Sequence, residues 1–175
     1  NVAGISFLQD GNIFYTQGRE IIHSLDALPM PDHGYASSII KKIRKAHLIT
    51  SRGCPGKCNF CSTGSYWGHA VRGFSSKRVL DEVEFILSNF DIDSFMFHDD
   101  TFNFSKQRVL EICNGIKERG FNKAWHCVCR VAPIDEEMLV AMKQSGCTDI
   151  TFGLETASES LLATLGKGIN TKLVT

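Results

Sequence analysis

Cys54, Cys58 and Cys61 fall within eight residues of one another, close enough for one short loop to bring three thiolates together. Pro55 and Gly56, between the first two, permit the tight path this convergence needs. Thiolates are the soft ligands that iron–sulfur clusters require. A 4Fe-4S cube takes four of them, so three leave one iron open to a ligand from outside the chain. Structural zinc is the alternative, but such sites are nearly always closed by four ligands, commonly as two spaced pairs. His69, Cys127 or Cys129 would have to complete it, and a second pair at matching spacing is absent. An iron–sulfur electron carrier is the other alternative; it would use four cysteines and have no need of an open iron.

Something must hold that loop, and the pattern around it is regular. An apolar run from Ala46 to Thr50 leads into the cysteines. Ser75 or Ser76 is placed to cap a helix running to about Asn89, with Val79, Leu80, Val83, Ile86 and Leu87 on one face. Ser94 to His98 reads as the next strand. Ser105 caps a second helix bearing Val109, Leu110, Ile112 and Ile116, and Gly120 stops it. Ala124 to Cys129 is a third strand, Asp135 opens a helix over Glu136 to Gln144, Asp149 to Phe152 is a fourth strand, and Ser158 starts a helix to about Leu165. A β-α unit repeated four times predicts parallel strands joined by right-handed crossovers. An α/β barrel and an open doubly wound sheet both fit that order.

In parallel α/β folds chemistry gathers at the carboxyl ends of the strands. The four ends here read Ser51-Arg52-Gly53-Cys54, His98-Asp99-Asp100, Arg130 and Gly153-Leu154-Glu155. Any single polar strand end is unremarkable where a chain emerges into solvent. Four in succession, one of them opening a cysteine cluster, point to a shared site.

The first 45 residues differ from the rest: two short apolar runs flank Gln9-Asp10-Gly11, a hairpin turn signal, and Leu25 to Asp32 carries two prolines and reads as a connector. The expected division is residues 1–45 as the remnant of an upstream domain with its linker, and 46–175 as the main domain. Nineteen basic side chains balance nineteen acidic ones, so no broad field steers the chain to nucleic acid or an anionic membrane. No apolar run is long enough to span a membrane. Seven cysteines, an odd number with three clustered, suit a reducing compartment better than a disulfide framework, and a cytoplasmic location is expected. A chain beginning at Asn1 is expected to be a fragment.

The spacing Cys54-x3-Cys58-x2-Cys61, with Phe60 before the last cysteine and the loop following a first strand, resembles the signature of the radical S-adenosylmethionine (SAM) superfamily. Phe97 to Asn103, Trp125 to Arg130, Gly146-Cys147 and Phe152 to Glu159 resemble one branch of it, the enzymes with an amino-terminal cobalamin-binding domain. That branch includes methyltransferases and anaerobic magnesium-protoporphyrin ester cyclases. The methylthiotransferases of transfer RNA share the cysteine motif, but the neutral charge here offers no basic patch for RNA.

The resemblance implies a partial (β/α)6 barrel, here about four β-α units after a short linker. It implies a 4Fe-4S cluster on Cys54, Cys58 and Cys61, with SAM chelating the open iron, and a reduced cluster that cleaves SAM to a 5′-deoxyadenosyl radical. A flavodoxin- or ferredoxin-type reductant, a small-molecule or lipid substrate, and cobalamin in the full-length protein follow from the same resemblance. Phe60 would shield the cluster near the adenine. Asp99 and Asp100 stand where the superfamily often has Gly-Gly-Glu, and the pair is assigned to the SAM amino group without a choice between them. Arg130 suits the SAM carboxylate, Glu155 the ribose hydroxyls, and Gly153 lies beside them. Cys113, Cys127, Cys129 and Cys147 are expected in the core, and His98 and His126 as hydrogen-bonded packing residues.

Overall fold

Alternation of apolar and polar residues along each strand decides which way the sheet faces. In the computed structural model, which describes residues 2–173, strands β1 (Ser6–Gln9) and β2 (Asn12–Tyr15) form the expected hairpin, with Asp10 and Gly11 both at positive φ in its turn. The leader continues through single 3-10 turns to helix α1 (Ser37–Ile43), which the sequence pattern did not reveal. Strand β3 (Lys45–Leu48) then enters the main sheet, and the two-residue strand β4 (Ser51–Arg52) launches the cysteine loop. Helix α2 (Thr63–Trp67) follows the loop, and β5 (Arg72–Gly73) returns to pair with β4.

The remaining elements alternate as the pattern predicts: α3 (Ser76–Asn89), β6 (Ser94–Phe97), α4 (Lys106–Glu118), β7 (Ala124–Cys129), α5 (Glu136–Gln144), β8 (Cys147–Phe152) and α6 (Glu159–Thr164). Ser75, Ser105 and Asp135 accept backbone N–H bonds from Arg78, Arg108 and Met138, which satisfies donors that each helix start would otherwise orphan. Ser158 flanks α6 without such a side-chain bond.

The four long strands pair in the order β3-β6-β7-β8, all parallel. Strand order therefore follows chain order, and α3 packs on α4 as α4 packs on α5. All crossovers lie on one side of the sheet, the winding of a barrel. A doubly wound sheet would reverse its order at a switch point and divide its helices between two faces. The chain thus forms part of a β/α barrel.

The helix-facing side of the sheet is the core. Ala46 and Leu48, Phe95 and Phe97, and Trp125, Cys127 and Cys129 all point into it and are buried. Phe97 stacks on Phe102 at 5.0 Å and meets Trp125 edge-on at 5.4 Å. Gly115 lets α4 approach α3 closely, since a Cβ there would come within 2.1 Å of Leu80 Cδ1. The leader also reaches this core: Leu25 and Ile40 are buried in it, His33 Nε2 lies 3.0 Å from the Glu82 carboxylate, and Asp26 accepts the Ser75 N–H. Among the described residues no helix is long and apolar enough to cross a membrane.

The opposite side of the sheet is open and polar. It carries His47, Met96, His126 and Asp149 in one register row. His98 departs from its expected packing role: it is exposed, with its ring edge-on to His47 at 5.6 Å. His126 is half-buried, its Nδ1 3.7 Å from an Asp149 carboxylate oxygen.

Candidate metal and cofactor site

Gly53, at φ +95°, turns the chain out of β4, and a Cβ there would meet the Ala70 carbonyl oxygen at 2.8 Å, so the exit into the cysteine loop requires glycine. Cys54 Sγ accepts from Thr101 Oγ1 at 3.0 Å and from the Gly56 N–H at 3.4 Å. These contacts fix the position of the sulfur in the loop. The far side of the loop is pinned to the end of α6: Asn59 donates through its backbone to Leu165 O and through its side chain to Thr164 O. His69 Nδ1 lies 3.0 Å from Gly56 O, which gives that histidine a structural role beside the loop.

Cys54, Cys58, Phe60 and Cys61 line one cavity of about 200 Å³ together with Thr63, Asp100, Arg130, Gly153, Glu155 and Lys167. Its position at the carboxyl ends of β4, β6, β7 and β8 is where parallel α/β folds concentrate chemistry. A larger cleft, of about 410 Å³, lies at the other end of the sheet around Lys123 and Gly146 and lacks the cysteines.

Eight of the nine residues singled out from the sequence meet in this cavity, and Asp99 does not. The Asp99 carboxylate turns inward and is 3 % exposed. It accepts from the Thr50 N–H and hydroxyl, both at 2.5 Å, and from the Ser51 N–H at 3.0 Å. Burial pushes this carboxyl above the usual range, against the opposing pull of the Thr50 bonds, Arg108 and Ser51. Arg108 completes the network by donating to Thr50 O and Thr50 Oγ1. Alternation explains the split: of two consecutive residues at a strand end, one faces the core and the next the site. Asp100 is the one in the cavity, where it accepts from Thr63 Oγ1 at 3.2 Å.

Arg130 is tied to its neighbours through its backbone and through one guanidinium nitrogen. Its backbone N–H donates to Asn103 Oδ1 and its carbonyl accepts from Asn103 Nδ2. Its Nη2 donates to Lys167 O at 2.9 Å, and its Nη1 lies so close to Gly56 that a Cβ there would sit 2.3 Å away. Glu155 adopts φ +69°, a left-handed conformation unusual for a glutamate and of the kind that clusters at functional sites. Its Oε1 accepts from Lys167 Nζ at 2.9 Å, and that ammonium also lies 5.7 Å from the Phe60 ring centroid.

Lys167, Thr101 and Asn103 were not assigned roles from the sequence. Thr101 and Asn103 lay within the resembling stretch, whereas Lys167 follows α6 with no local pattern to mark it. The other four cysteines are core residues, as expected. Burial pushes the Cys113 thiol up to about 11, and Cys127 is pushed up by its contacts with Cys129, 3.7 Å away, and Cys147. Alkylation of the native, cluster-free chain at pH 8 is therefore expected to modify Cys54, Cys58 and Cys61 and to spare Cys113, Cys127 and Cys129; peptide mass mapping reads the pattern.

Three thiolates presented by one short loop and lining one cavity are a donor set that fits a 4Fe-4S cube with one iron left open.

Comparison with known proteins agrees with this geometry. Residues 48–174 match the family model described as the radical SAM superfamily. An uncharacterised methyltransferase of Pyrococcus horikoshii is 33 % identical over 171 residues, covering 96 % of this chain and 37 % of the relative. The anaerobic magnesium-protoporphyrin IX monomethyl ester cyclase of Rubrivivax gelatinosus is 28 % identical, covering 95 % of this chain and 31 % of the relative. The chain thus spans about a third of the length of these curated relatives. In fold it is similar to the cobalamin-dependent SAM radical enzyme OxsB, solved with aqua-cobalamin and SAM, at a TM-score of 0.85 and 23 % identity over 98 % of this chain and 27 % of that one. With the cysteine loop, the one-sided barrel winding and a family match over most of its length, this chain belongs to the radical SAM superfamily.

Proposed function

We propose that this chain is a large part of the catalytic core of a radical SAM enzyme that methylates or cyclises a small-molecule or lipid substrate. The observation that carries it is the single cavity lined by Cys54, Cys58 and Cys61 and, at three further strand ends, by Asp100, Arg130 and Glu155. Cys54, Cys58 and Cys61 would hold a 4Fe-4S cluster, leaving one iron for SAM. Such a cluster, once reduced, supplies the electron that cleaves SAM and starts radical chemistry.

The chain's own residues bind and orient. Thr101 and the Gly56 N–H donate to Cys54 Sγ and orient it. The Asp100 carboxylate is the acceptor suited to the SAM amino group, and Glu155 to the ribose hydroxyls. Phe60, in the same cavity, offers an apolar face to the adenine and limits water at the cluster. Arg130 ties the cysteine loop to the segment bearing Lys167. Cobalamin in the full-length protein is supported by the fold likeness to a cobalamin-dependent enzyme, and a flavodoxin or ferredoxin suits the delivery of single electrons. A cytoplasmic location accords with an oxygen-sensitive cluster.

The test is anaerobic reconstitution with iron and sulfide, reduction, and electron paramagnetic resonance with and without SAM. The expected outcome is a reduced-cluster signal that shifts on adding SAM and is absent from a C54A/C58A/C61A variant. A cluster signal indifferent to SAM would favour an electron carrier, and tightly bound zinc with no cluster would overturn the assignment.

A further inference from the structure

Beside the cysteine loop lies a second cavity, of about 480 Å³, which the site described above does not use. Both stems of the loop contribute to its wall: Arg52 stands two residues before Cys54, and Trp67 ends α2 on the far side. The leader closes another side through the turn at Tyr35, and Leu48 and Phe74 add apolar surface. His47 carries the cavity to the open face of the sheet, where its ring meets that of His98. The space therefore borders the cysteine loop and the open sheet face at once.

The charges of this wall are unequally matched. Glu82 takes His33 and Arg78, and Asp32 accepts the Gly34 N–H, so both acids are engaged within the protein. Arg52 is half-buried and has no carboxylate or hydrogen-bond partner among the described residues; its guanidinium lies over the Trp67 ring, 5.0 Å from the centroid. A cation–π contact fixes the guanidinium without supplying an acceptor, so its forked N–H donors stay unmatched within the protein. Burial, with His98 and Lys45 nearby, lowers the His47 imidazole below its usual range, which leaves Arg52 as the unpaired cation of the wall. Ligand sites are mostly apolar surface around a few placed polar groups, and here aromatic and aliphatic carbon surrounds one unmatched guanidinium.

We propose that this cavity receives the substrate, and that the substrate is a small amphiphile whose oxyanion, a carboxylate or a phosphate, is bound by Arg52 while its apolar body lies against Trp67 and its apolar neighbours. This rests on the reading of the adjacent cavity as a SAM site, and it narrows the substrate from a small molecule or lipid to an anionic one. Arg52 is then a specificity residue. A neutral analogue of the same shape makes the apolar contacts but leaves the guanidinium without its oxyanion.

The experiment is equilibrium dialysis of naphthoate, naphthyl phosphate and the neutral naphthamide, up to millimolar ligand, against the full-length protein after anaerobic cluster reconstitution. Saturating SAM is present throughout, so that the SAM cavity is closed to the probes. Wild type, R52Q, R52K and W67L are compared, with iron content and circular dichroism as checks of cluster and fold. At least one of the two anions is expected to bind wild type about tenfold more tightly than the amide, and the tighter anion identifies the headgroup. R52Q is expected to remove that preference and to change the amide less than about threefold, R52K to keep part of it, and W67L to weaken anion and amide alike. Equal binding of anions and amide to wild type, or an anion preference that survives R52Q, overturns the role of Arg52. No binding of any probe to protein that shows the SAM-dependent resonance shift overturns the substrate cavity while leaving the SAM site standing, and a cluster indifferent to SAM overturns the site reading itself.

Discussion

Replacing Asp99 by Ala is expected to lower the unfolding free energy by about 3–5 kcal/mol, because it breaks a buried charged network by removing one partner. Three donors lose their acceptor at once: the Thr50 N–H, the Thr50 hydroxyl and the Ser51 N–H. Arg108, whose Nη1 already has no hydrogen-bond partner, loses its nearby counter-charge. The isosteric Asp99→Asn keeps the volume but turns two amide hydrogens toward groups that are themselves mostly donors, so it is expected to recover little of the loss. Asp100→Ala is the matched control. Its carboxylate is exposed and bonds only to the Thr63 hydroxyl among the described residues, so stability should change by about 0.5 kcal/mol or less. Urea unfolding followed by circular dichroism measures both. The roles are reversed for cofactor binding: Asp100→Ala is expected to weaken SAM, whereas a destabilised but folded Asp99 variant keeps the SAM-dependent resonance shift at low temperature. An Asp99→Ala protein of unaltered stability that had lost that shift would return Asp99 to the site.

This pair shows how far the sequence could be read and where it stopped. The strand end His98-Asp99-Asp100 was recognisable as polar, but both acids are equally polar, and only the phase of the strand decides which one faces the cavity. That phase is fixed by packing: Phe95 and Phe97 enter the core, and Asp99 continues their side. The barrel order was legible because helix and strand periods alternate clearly from Ala46 onward, and the caps at Ser105 and Asp135 fell at the residues named. The choice between a barrel and a doubly wound sheet was not, since both read as β-α repeats; it took the pairing order β3-β6-β7-β8 to settle it. Helix α1 escaped notice because seven residues give two turns at most and bury only Ile40. Lys167 escaped for a different reason. Its place in the cavity comes from contacts with Glu155, Phe60 and Arg130 across the fold, and no local spacing encodes them.

Asn103 is the second residue whose replacement should have a large effect, and here stability and site geometry are expected to fail together. Its side chain is completely buried and makes three bonds: Nδ2 donates to Arg130 O at 2.8 Å and to Pro133 O at 2.6 Å, and Oδ1 accepts the Arg130 N–H at 2.9 Å. These bonds fix the backbone of the strand end that presents Arg130, and Arg130 in turn holds the Lys167 carbonyl and lies against the cysteine loop. Asn103→Ala leaves one buried N–H and two carbonyls without this partner and is expected to cost about 2–4 kcal/mol. Asn103→Asp separates hydrogen bonding from volume: a carboxylate can still accept from the Arg130 N–H but repels both carbonyls, so the loss should equal or exceed that of alanine. Because the same bonds set the position of Arg130, both variants are expected to bind less iron on anaerobic reconstitution even where circular dichroism shows a folded chain. Iron retained at wild-type levels in a destabilised Asn103→Ala protein would mean that the cysteine loop is held by its other bonds, through Asn59 to Thr164 and Leu165, His69 to Gly56 and Thr101 to Cys54, and that the Arg130 link contributes nothing to its shape.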